Sequence, residues 1–321
     1  MSAVPTDIEL LTVGRISVDL YSPEVGAGFE DPQTFEKSVG GSATNVAIAA
    51  ARLGHRAAVL TKVGADGFGE YVRRKLVGFG VDTRFVGVHP TLRTPLAFAA
   101  LDPPEDPSLL FYREPFAPDL TIEADAAVRT AAEGVPVLWV TGSALSHAAS
   151  AATVTALLAA RGRRRHTVLD LDYRPTFWGS VDDARRLIGS AVGSATVAVG
   201  NRVECDVAVG TSDPGEAARR LLERGVELAI VKLGGDGVLV ASTHETVTVP
   251  ARPVDVVCGL GAGDAFGGAL VHGLLARWTP RETVEFANAA GAIVASRLLC
   301  SDAMPSADEV LALLEGSRAA R

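Results

Sequence analysis

Cysteine is scarce in this chain of 321 residues, which contains only Cys205, Cys258 and Cys300. No two of them form a CxxC pair and their number is odd, so the sequence has neither a disulfide framework nor a cysteine-based zinc site. The six histidines are scattered, and none lies at metal-ligand spacing from another. The stretch MSAVPTDIEL also lacks a basic segment followed by an apolar core. These absences together predict a cytoplasmic protein.

Two common nucleotide-binding motifs are missing as well. The chain has no GxxxxGK[ST] loop, and no GxGxxG follows the first predicted strand, IELLTVG. The first absence disfavours a P-loop NTPase, and the second disfavours a dinucleotide-dependent oxidoreductase.

Long apolar runs and excess positive charge are absent too. Residues 134–160 carry no Asp, Glu, Lys or Arg, but they read as VPVLWV, a polar TGSALSH turn and AASAATVTALLAA. This pattern predicts a strand, a turn and a helix rather than a membrane span. The formal net charge of -8 argues against nucleic acid or an anionic membrane as the main partner. A small anionic ligand is still compatible, because a local site can be positive on an acidic protein.

What the chain does have is abundant small apolar residues and a regular order of elements. Aromatic residues make up 6% and hydrophobic residues 48%, which fits buried parallel strands packed by helices. From residue 121 onward strand-like and helix-like segments alternate, so we predict an α/β fold: a doubly wound, mostly parallel sheet with helices on both faces, as one domain over residues 1–321. Two β-like interruptions, near 15–39 and 92–116, are expected to pair into a small lid over the site.

The segment VCGLGAGDAFGGAL, residues 257–270, places glycines directly before a predicted helix. Free N–H groups and the positive end of a helix dipole favour an anion at such a position. A second interpretation stays open from these residues alone. Gly261 and Gly263 would then only permit close helix–strand packing, with Asp264 as a favourable acid in the first helical turn.

Further polar clusters follow other predicted strands, where ligands collect in open α/β sheets. Asp170, Asp172 and Arg174 follow the strand HTVLDLD, and GGSATN at 40–45 leads into a helix. NRVE at 201–204 fits a helix capping box as well as a pair of residues that orient water around Mg²⁺. The run RGRRRH at 161–166 predicts a solvated helix end.

With these motifs assembled, the sequence resembles the ribokinase-like (PfkB-type) carbohydrate kinases over nearly its whole length. The resemblance rests on GGSATNVA, NRVE, and GLGAGDAF with its downstream FANAAGAIVAS, in this order and spacing. It implies that Asp264 is the catalytic base and that Gly261, Ala262 and Gly263 form an anion hole for the transferring phosphoryl group.

The resemblance also implies the binding of Mg²⁺–ATP and of a sugar. Asn201 and Glu204 would organise the metal, through water, while Asp19, Gly41 and Asn45 would hold substrate hydroxyls. The lid of relatives often pairs with that of a second subunit, so a homodimer is expected. The residues expected to contact ATP are Asn201, Lys232, Gly234, Gly235, Gly237, Gly261, Gly263 and Asn288.

Within this family the sequence is most similar to kinases of sugar acids. The stretches GRISVDLY, FYRE, VTGSALS, DLDYRPTFW and SDAMPSADEV point to 5-dehydro-2-deoxygluconate, and kinases of 2-keto-3-deoxygluconate share several of these features. A carboxylate favours arginine, whose planar fork donates two parallel hydrogen bonds. Arg113 and Arg174 are the candidates. Arg15 is a third, for which a surface salt bridge is an equal alternative, and a neutral sugar remains an alternative substrate.

Two departures from the family pattern bear on ions and substrate. Cys258 and Gly259 stand where the family commonly has Asp-Thr, and that aspartate helps to hold a monovalent cation in relatives, so a K⁺ requirement is in doubt. Ser42 and Ala43 stand where ribose-specific members carry Lys-Gly, which argues against ribose.

Overall fold

The structure, a computed structural model, describes residues 7–319, with side chains described up to residue 316. The expectation drawn from the first ten residues therefore concerns a segment that lies largely outside the described part. The described strands are β1 (Leu10–Val13), β2 (Ser17–Tyr21), β3 (Glu36–Gly40), β4 (Ala57–Gly64), β5 (Val86–His89), β6 (Leu96–Ala100), β7 (Ser108–Tyr112), β8 (Val137–Thr141), β9 (Thr167–Asp170), β10 (Val197–Asn201), β11 (Leu228–Lys232), β12 (Val238–Ser242) and β13 (Thr246–Val249).

Helices follow most of these strands, as the alternation predicted. None of the helices within residues 7–319 is long and apolar enough to cross a membrane. The described helices are α1 (Ser42–Arg52), α2 (Gly67–Gly78), α3 (Ala126–Gly134), α4 (Ala148–Arg161), α5 (Val181–Val192), α6 (Arg202–Val209), α7 (Pro214–Glu223), α8 (Ala262–Ala276), α9 (Pro280–Ala295) and α10 (Ala307–Ala319).

Nine strands form one sheet in the order β13-β12-β11-β10-β9-β8-β1-β4-β5, parallel except where β12 pairs with its two neighbours. Side chains alternate between two buried cores: Leu10 of β1 belongs to the core that includes residues of α1, α2, α8, α9 and α10, whereas Leu11 belongs to the core that includes residues of α3 to α7. Since both faces are covered by helices, the predicted doubly wound α/β fold is confirmed.

The two β-like interruptions do pair with each other, as predicted. They form a four-stranded small sheet in the order β3-β2-β6-β7, in which β2 and β6 run parallel. Asp19, Ala97 and Phe111 lie opposite one another and share one face, and Leu20, Phe98 and Leu110 share the other. The small sheet is consistent with a lid, and the face that carries Asp19 is directed toward the main sheet.

The chain reverses its direction of winding at β1, which lies between β8 and β4. The loops that leave β1 and β8 therefore run in opposite directions and open a crevice at the carboxyl ends of the strands, the usual ligand position in such folds. Helices α1 and α8 pack closely beside this crevice, because a Cβ at Gly268 of α8 would lie 2.3 Å from the Cβ of Ala49 in α1. Their N-terminal turns are thereby held together.

The arginine run at 161–166 matches its prediction of a solvated helix end only in part: Arg164 and Arg165 are exposed, whereas Arg161 is buried. Arg161 is 1% exposed rather than solvated, because its guanidinium stabilises the far ends of α3 and β8. Burial lowers the pKa of Arg161 to about 10. Its acceptors are Thr167 Oγ1 and the carbonyl oxygens of Ala132, Val135, Pro136 and His166, at 2.6–3.2 Å.

Replacing Arg161 by methionine is expected to lower the free energy of unfolding by about 3 kcal/mol, because several buried carbonyl oxygens lose a charged donor. Urea denaturation of the purified variant measures this loss. Arg186→Met is the matched control, since that guanidinium is exposed and pairs with Asp183 at 3.1 Å. Equal unfolding midpoints for the two variants would contradict a structural role for Arg161.

Candidate active site

Asp264 lies in the first turn of α8, and two side chains of α1 orient its carboxylate. Asn45 Nδ2 donates to Oδ2 at 2.8 Å, and Ser42 Oγ donates to Oδ1 at 3.0 Å. Burial raises the pKa of Asp264, while the hydrogen bond from Asn45 opposes this shift. The arrangement leaves a fixed carboxylate that is more basic than an exposed one, a property suited to a general base.

The turn before Asp264 forms the N-terminus of α8. Gly261 is the N-cap of α8 with a left-handed φ of 81°. The N–H groups of Ala262 and Gly263 come next and have no acceptor within the helix. A Cβ at Gly263 would lie 3.4 Å from Lys232 Nζ, so an ammonium group adjoins the same turn. Backbone donors, the helix dipole and a lysine therefore converge at one point.

Cys300 supports this turn from the other side, and no sequence motif indicated it. A Cβ at Gly261 would lie 2.1 Å from the Cys300 sulphur, so a side chain larger than hydrogen does not fit at position 261. The Cys300 thiol also reaches Asp264 Oδ2 at 4.0 Å. Burial raises the pKa of Cys300 well above its ordinary value, which keeps the thiol neutral.

Asp19 projects from the inward face of the small sheet. Its carboxylate accepts hydrogen bonds from Ser17 Oγ at 2.6 Å and from the Tyr21 hydroxyl at 3.3 Å. A Cβ at Gly40 would lie 2.0 Å from this carboxylate, so Gly40 makes room for Asp19. Burial raises the pKa of Asp19 from 3.8 to about 6, with the Ser17 hydrogen bond acting in the opposite direction.

Asp19→Asn is expected to stabilise the protein at neutral pH. The folded carboxyl releases its proton near pH 6 and the unfolded one near 3.8, so ionisation increasingly costs the folded state as pH rises through this window. The stability gain of the variant over the wild type should widen from about pH 4 to about pH 6.5 and reach about 3 kcal/mol. Urea denaturation at both pH values measures it. A gain that does not change with pH would contradict the raised pKa.

Gly41 and Asn45 flank the same space. Gly41 has a left-handed φ of 95°, and a Cβ there would lie 2.4 Å from the Arg15 carbonyl oxygen. Both the backbone conformation and this clash exclude a side chain at position 41. Asn45 Oδ1 is buried and has no hydrogen-bond partner within the described protein. A buried amide oxygen that accepts no hydrogen bond destabilises the folded protein, and a ligand hydroxyl could donate the missing hydrogen bond.

Arg15 and Arg174 meet at Asp172, at the crevice between β1 and β8. Arg15 Nε donates to Ser143 Oγ at 3.0 Å and its Nη2 lies 3.4 Å from Asp172, whereas Arg174 Nε lies 3.5 Å from Asp172. The surface salt bridge considered for Arg15 is wrong, because both Arg15 and Asp172 are buried. Burial alone would raise the pKa of Asp172, but Arg15 and Arg174 bring it below its ordinary value.

Arg113, just beyond β7, belongs to the same cluster through an aromatic ring. Its Nη2 donates to Asp119 Oδ1 at 2.6 Å. The guanidinium carbons of Arg113 and Arg15 each lie 5.0 Å from the centre of the Phe177 ring. Phe111 packs edge-to-face with Phe177, with the two ring centres 4.9 Å apart. Phe177 was missed by sequence reasoning, although it lies within the quoted DLDYRPTFW.

A cavity of about 430 Å³ lies on the other side of the glycine turn. It brings together most of the residues predicted to contact ATP, although neither Gly261 nor Asn201 is part of its wall. Asn288 is held there by a hydrogen bond from Nδ2 to the Pro250 carbonyl oxygen at 3.1 Å. The residues predicted to contact ATP that lie in the wall are Lys232, Gly234, Gly235, Gly237, Gly263 and Asn288, and Ala262 of the predicted anion hole lies there too.

Asn201 and Glu204 form the capping box that their spacing allowed. Asn201 Oδ1 accepts from the Glu204 backbone N–H at 2.9 Å, and Glu204 Oε2 accepts from the Asn201 N–H at 2.7 Å. Within residues 7–319, no group of three or more His, Cys, Asp or Glu could hold a metal ion. Glu204 is buried and interacts with Lys232, and burial raises the pKa of the nearby Asp170 to about 8.

Comparison with known proteins agrees with this geometry. The sequence model described as "pfkB family carbohydrate kinase" matches residues 7–307. The 5-dehydro-2-deoxygluconokinase of Geobacillus thermodenitrificans is 32% identical, with 100% of this chain and 98% of that protein covered. The enzyme of the same name from Photobacterium profundum is 33% identical, with 96% and 95% covered.

Solved structures share the fold over nearly the whole chain. The fructokinase of Vibrio cholerae O395, solved in a form bound to fructose, ADP and calcium ion, has a TM-score of 0.83 at 26% identity, covering 96% of this chain and 99% of that one. The fructokinase of Xylella fastidiosa with bound ATP has a TM-score of 0.81 at 24% identity, with 96% and 98% covered.

Proposed function

This chain belongs to the pfkB family of carbohydrate kinases and is an ATP-dependent sugar kinase, and we propose that its substrate is a sugar acid, 5-dehydro-2-deoxy-D-gluconate, phosphorylated at the primary hydroxyl. The relatives with that activity in their names cover nearly the full chain. The observation that carries the proposal is the arginine cluster beside the crevice.

The arginine cluster places three guanidinium groups beside the crevice. Arg15 and Arg174 share the single carboxylate of Asp172, and Arg113 pairs with Asp119. Asp170, Asp264 and Glu204 also act electrostatically on Arg174, so the argument for a carboxylate rests on donor geometry and not on net charge. Arg174 is partly exposed and its contact with Asp172 is long, at 3.5 Å, so its guanidinium can donate parallel hydrogen bonds to a substrate carboxylate.

In the reaction, Asp264 takes the proton of the primary hydroxyl while that oxygen forms a bond to the γ-phosphorus of ATP. The bond between the γ-phosphorus and the β,γ-bridging oxygen breaks, and ADP leaves. The N–H groups of Gly261, Ala262 and Gly263 stabilise the charge on the transferring phosphoryl oxygens. Asp19, Gly41 and Asn45 hold other parts of the sugar and so aim its hydroxyl at the phosphorus.

The cavity beside the glycine turn is proposed to bind ATP, with Lys232 next to the phosphates and Asn288 near the nucleoside. A divalent cation, proposed to be Mg²⁺, neutralises charge on the phosphates when it is bound. The residues fit this role, because Glu204 uses only Oε2 in the capping box and its other oxygen remains available for a metal-bound water. Asn201 is proposed to act in the same water shell.

A monovalent cation does not fit the residue at position 258. Cys258 is buried, and burial raises the pKa of its thiol, so the side chain offers no oxygen and no negative charge to K⁺. We therefore assign no step to K⁺.

The proposal is tested by measuring ADP release from Mg²⁺–ATP with 5-dehydro-2-deoxygluconate, 2-keto-3-deoxygluconate, fructose and ribose, each with and without K⁺. We expect the highest kcat/KM with 5-dehydro-2-deoxygluconate, and the same rate with K⁺ as without it. Preference for fructose or ribose would refute the sugar-acid proposal and leave the kinase mechanism in place.

We also propose that two copies of the chain pair through the outward face of the small sheet. Leu110 and Tyr112 are exposed there, and Phe35 packs edge-on against Phe98 beside them. A sheet face of this kind, uncovered in a single chain, loses apolar surface to water when a second copy covers it.

Leu110→Lys is expected to convert a dimer into a monomer in sedimentation velocity, because the charge would be buried without a partner. Val77→Lys, an exposed apolar position on α2, is the matched control and should leave the dimer intact. A monomeric wild type, or equal effects of both variants, would contradict the proposed interface.

A further inference from the structure

The ring of Phe177 lies next to two of the three arginines at the crevice. The guanidinium carbons of Arg15 and Arg113 are each 5.0 Å from its centre. At this distance the negative face of an aromatic ring attracts a cation. The two guanidinium groups repel each other, and a ring that attracts both offsets part of that repulsion.

The third arginine, Arg174, is connected to Phe177 through the backbone. Residues Pro175–Phe177 form a short 3₁₀ turn directly after Arg174, and the Phe177 N–H donates to the Arg174 carbonyl oxygen at 3.0 Å. The same turn therefore positions the ring and the arginine that precedes it. A substitution that removes only the ring leaves this backbone hydrogen bond in place.

The two arginines beside the ring are also held through Asp119. Arg113 pairs with Asp119 at 2.6 Å, and Oδ2 of the same aspartate accepts the Ile16 N–H at 2.9 Å. Ile16 directly follows Arg15, so the contacts run in a closed circuit from one arginine to the other and back through the ring. The side chains of Arg15 and Arg113 are only 8% and 10% exposed. Both guanidinium groups are thus ordered by the fold itself.

Phe177 is not explained by the hydrophobic cores. Among the described residues, Tyr173 and Trp178 pack against the core that includes residues of α3 to α7, whereas Phe177 belongs to neither core. Its ring is partly buried and packs edge-to-face with Phe111. A large ring that lies against two cations outside a core is better explained by their charge than by its apolar area.

We propose that Phe177 is a positioning residue, whose ring holds Arg15 and Arg113 in the arrangement that receives the substrate carboxylate and so sets the preference for a sugar acid over a neutral sugar. The inference rests on the proposed sugar-acid substrate. A guanidinium that is ordered before the ligand arrives loses less rotamer freedom when a carboxylate binds. Phosphoryl transfer takes place at Asp264, so loss of the ring weakens sugar-acid binding and leaves the chemical step intact.

Phe177→Leu tests the inference, because leucine keeps an apolar side chain and removes the ring. We expect KM for 5-dehydro-2-deoxygluconate to rise about tenfold, with kcat and the dissociation constant of Mg²⁺–ADP each within about twofold of the wild type. Steady-state kinetics and calorimetry measure these values. A general loss of packing at the site would instead lower kcat and weaken the binding of both ligands.

A fluorinated ring separates charge from shape and does not depend on whether Phe177→Leu folds. Trifluorophenylalanine at position 177 keeps nearly the same volume but has a much weaker negative face. We expect its KM for the sugar acid to rise about threefold, between the values for the wild type and for the leucine variant. Phe177→Tyr keeps a ring with a negative face and should stay within about twofold of the wild-type KM.

Phe79→Leu is the matched control. The Phe79 ring is partly buried and has Lys75 Nζ 5.1 Å from its centre, so it also faces a cation. It lies at the C-terminal end of α2, and the segment that follows pairs Asp82 with Ala58 at the amino end of β4, on the edge of the sheet opposite the crevice. Its kinetics should equal those of the wild type.

Two results would overturn the inference, and they bear differently on the proposed function. An unchanged KM in a folded Phe177→Leu protein, or in the fluorinated protein, would refute the role of the ring while a wild-type preference for the sugar acid keeps the proposed function. A wild type that prefers fructose to the sugar acid would refute both together.

Discussion

Asp264→Asn is expected to lower kcat by about 10³-fold, within the range found for loss of a general base. The carboxamide keeps nearly the same size and still accepts a hydrogen bond from Asn45 or Ser42, but it does not accept the proton of the substrate hydroxyl. The loss should therefore appear in the chemical step. Single-turnover kinetics with saturating Mg²⁺–ATP measure that step directly.

Binding measurements separate the catalytic role of Asp264 from a structural one. We expect the dissociation constant of Mg²⁺–ADP for the variant to stay within about threefold of the wild type, because the N–H groups of the glycine turn are unchanged. Ser42→Ala is a useful companion, since it removes one orienting donor at 3.0 Å and leaves the base in place. A kcat for Asp264→Asn within tenfold of the wild-type value would show that Asp264 is not the general base.

Arg174→Met is expected to lower kcat/KM for the sugar acid by about 10- to 100-fold, the effect of removing one charge-assisted hydrogen bond. Arg174 is the best of the three arginines for this test. Its side chain is 43% exposed and its contact with Asp172 is long, at 3.5 Å, so its removal disturbs the fold least. Steady-state kinetics over a range of sugar-acid concentrations measure the change.

The matched control for this prediction is Arg185→Met on α5. That side chain is 47% exposed and pairs with Asp182 at 3.3 Å, so it has similar exposure and a similar ion pair far from the crevice. Its kinetics should equal those of the wild type. If Arg174→Met also left kcat/KM unchanged, the carboxylate would bind elsewhere, and Arg174 would serve only to neutralise Asp172.

The sequence predicted the architecture well because its signals were local. Runs such as VPVLWV are buried on both faces of a parallel sheet and therefore lack the alternation of exposed strands, whereas the segments near 15–39 and 92–116 do alternate. The signal in the short motif GAGD is local as well, and it correctly predicted that Asp264 lies at the start of a helix.

The contacts around these motifs were not predictable, because they join residues that lie far apart in the chain. Cys300 packs on Gly261, and the ring of Phe177 lies against the guanidinium groups of both Arg15 and Arg113. Composition and periodicity carry no information about such pairs. The burial of Arg161 was missed for a related reason: its acceptors are carbonyl oxygens, which every residue has.

The segment 201–204 shows a different limit of sequence reasoning. Its spacing fits a capping box and a metal-orienting pair, and the structure contains the capping box. This does not decide the second role, because only Oε2 of Glu204 takes part in the capping box. A helix N-terminus that holds its own cap and also faces a phosphate group satisfies both patterns with the same residues.

The central claim, that this kinase phosphorylates a sugar acid, is tested most directly by competition. Purified protein, Mg²⁺–ATP and an equimolar mixture of 5-dehydro-2-deoxygluconate, 2-keto-3-deoxygluconate, fructose and ribose are incubated to partial conversion, and the products are identified by phosphorus–proton NMR. We predict that a phosphomonoester on the primary carbon of 5-dehydro-2-deoxygluconate forms first and dominates. A phosphorylated neutral sugar as the main product would contradict the account of the arginine cluster.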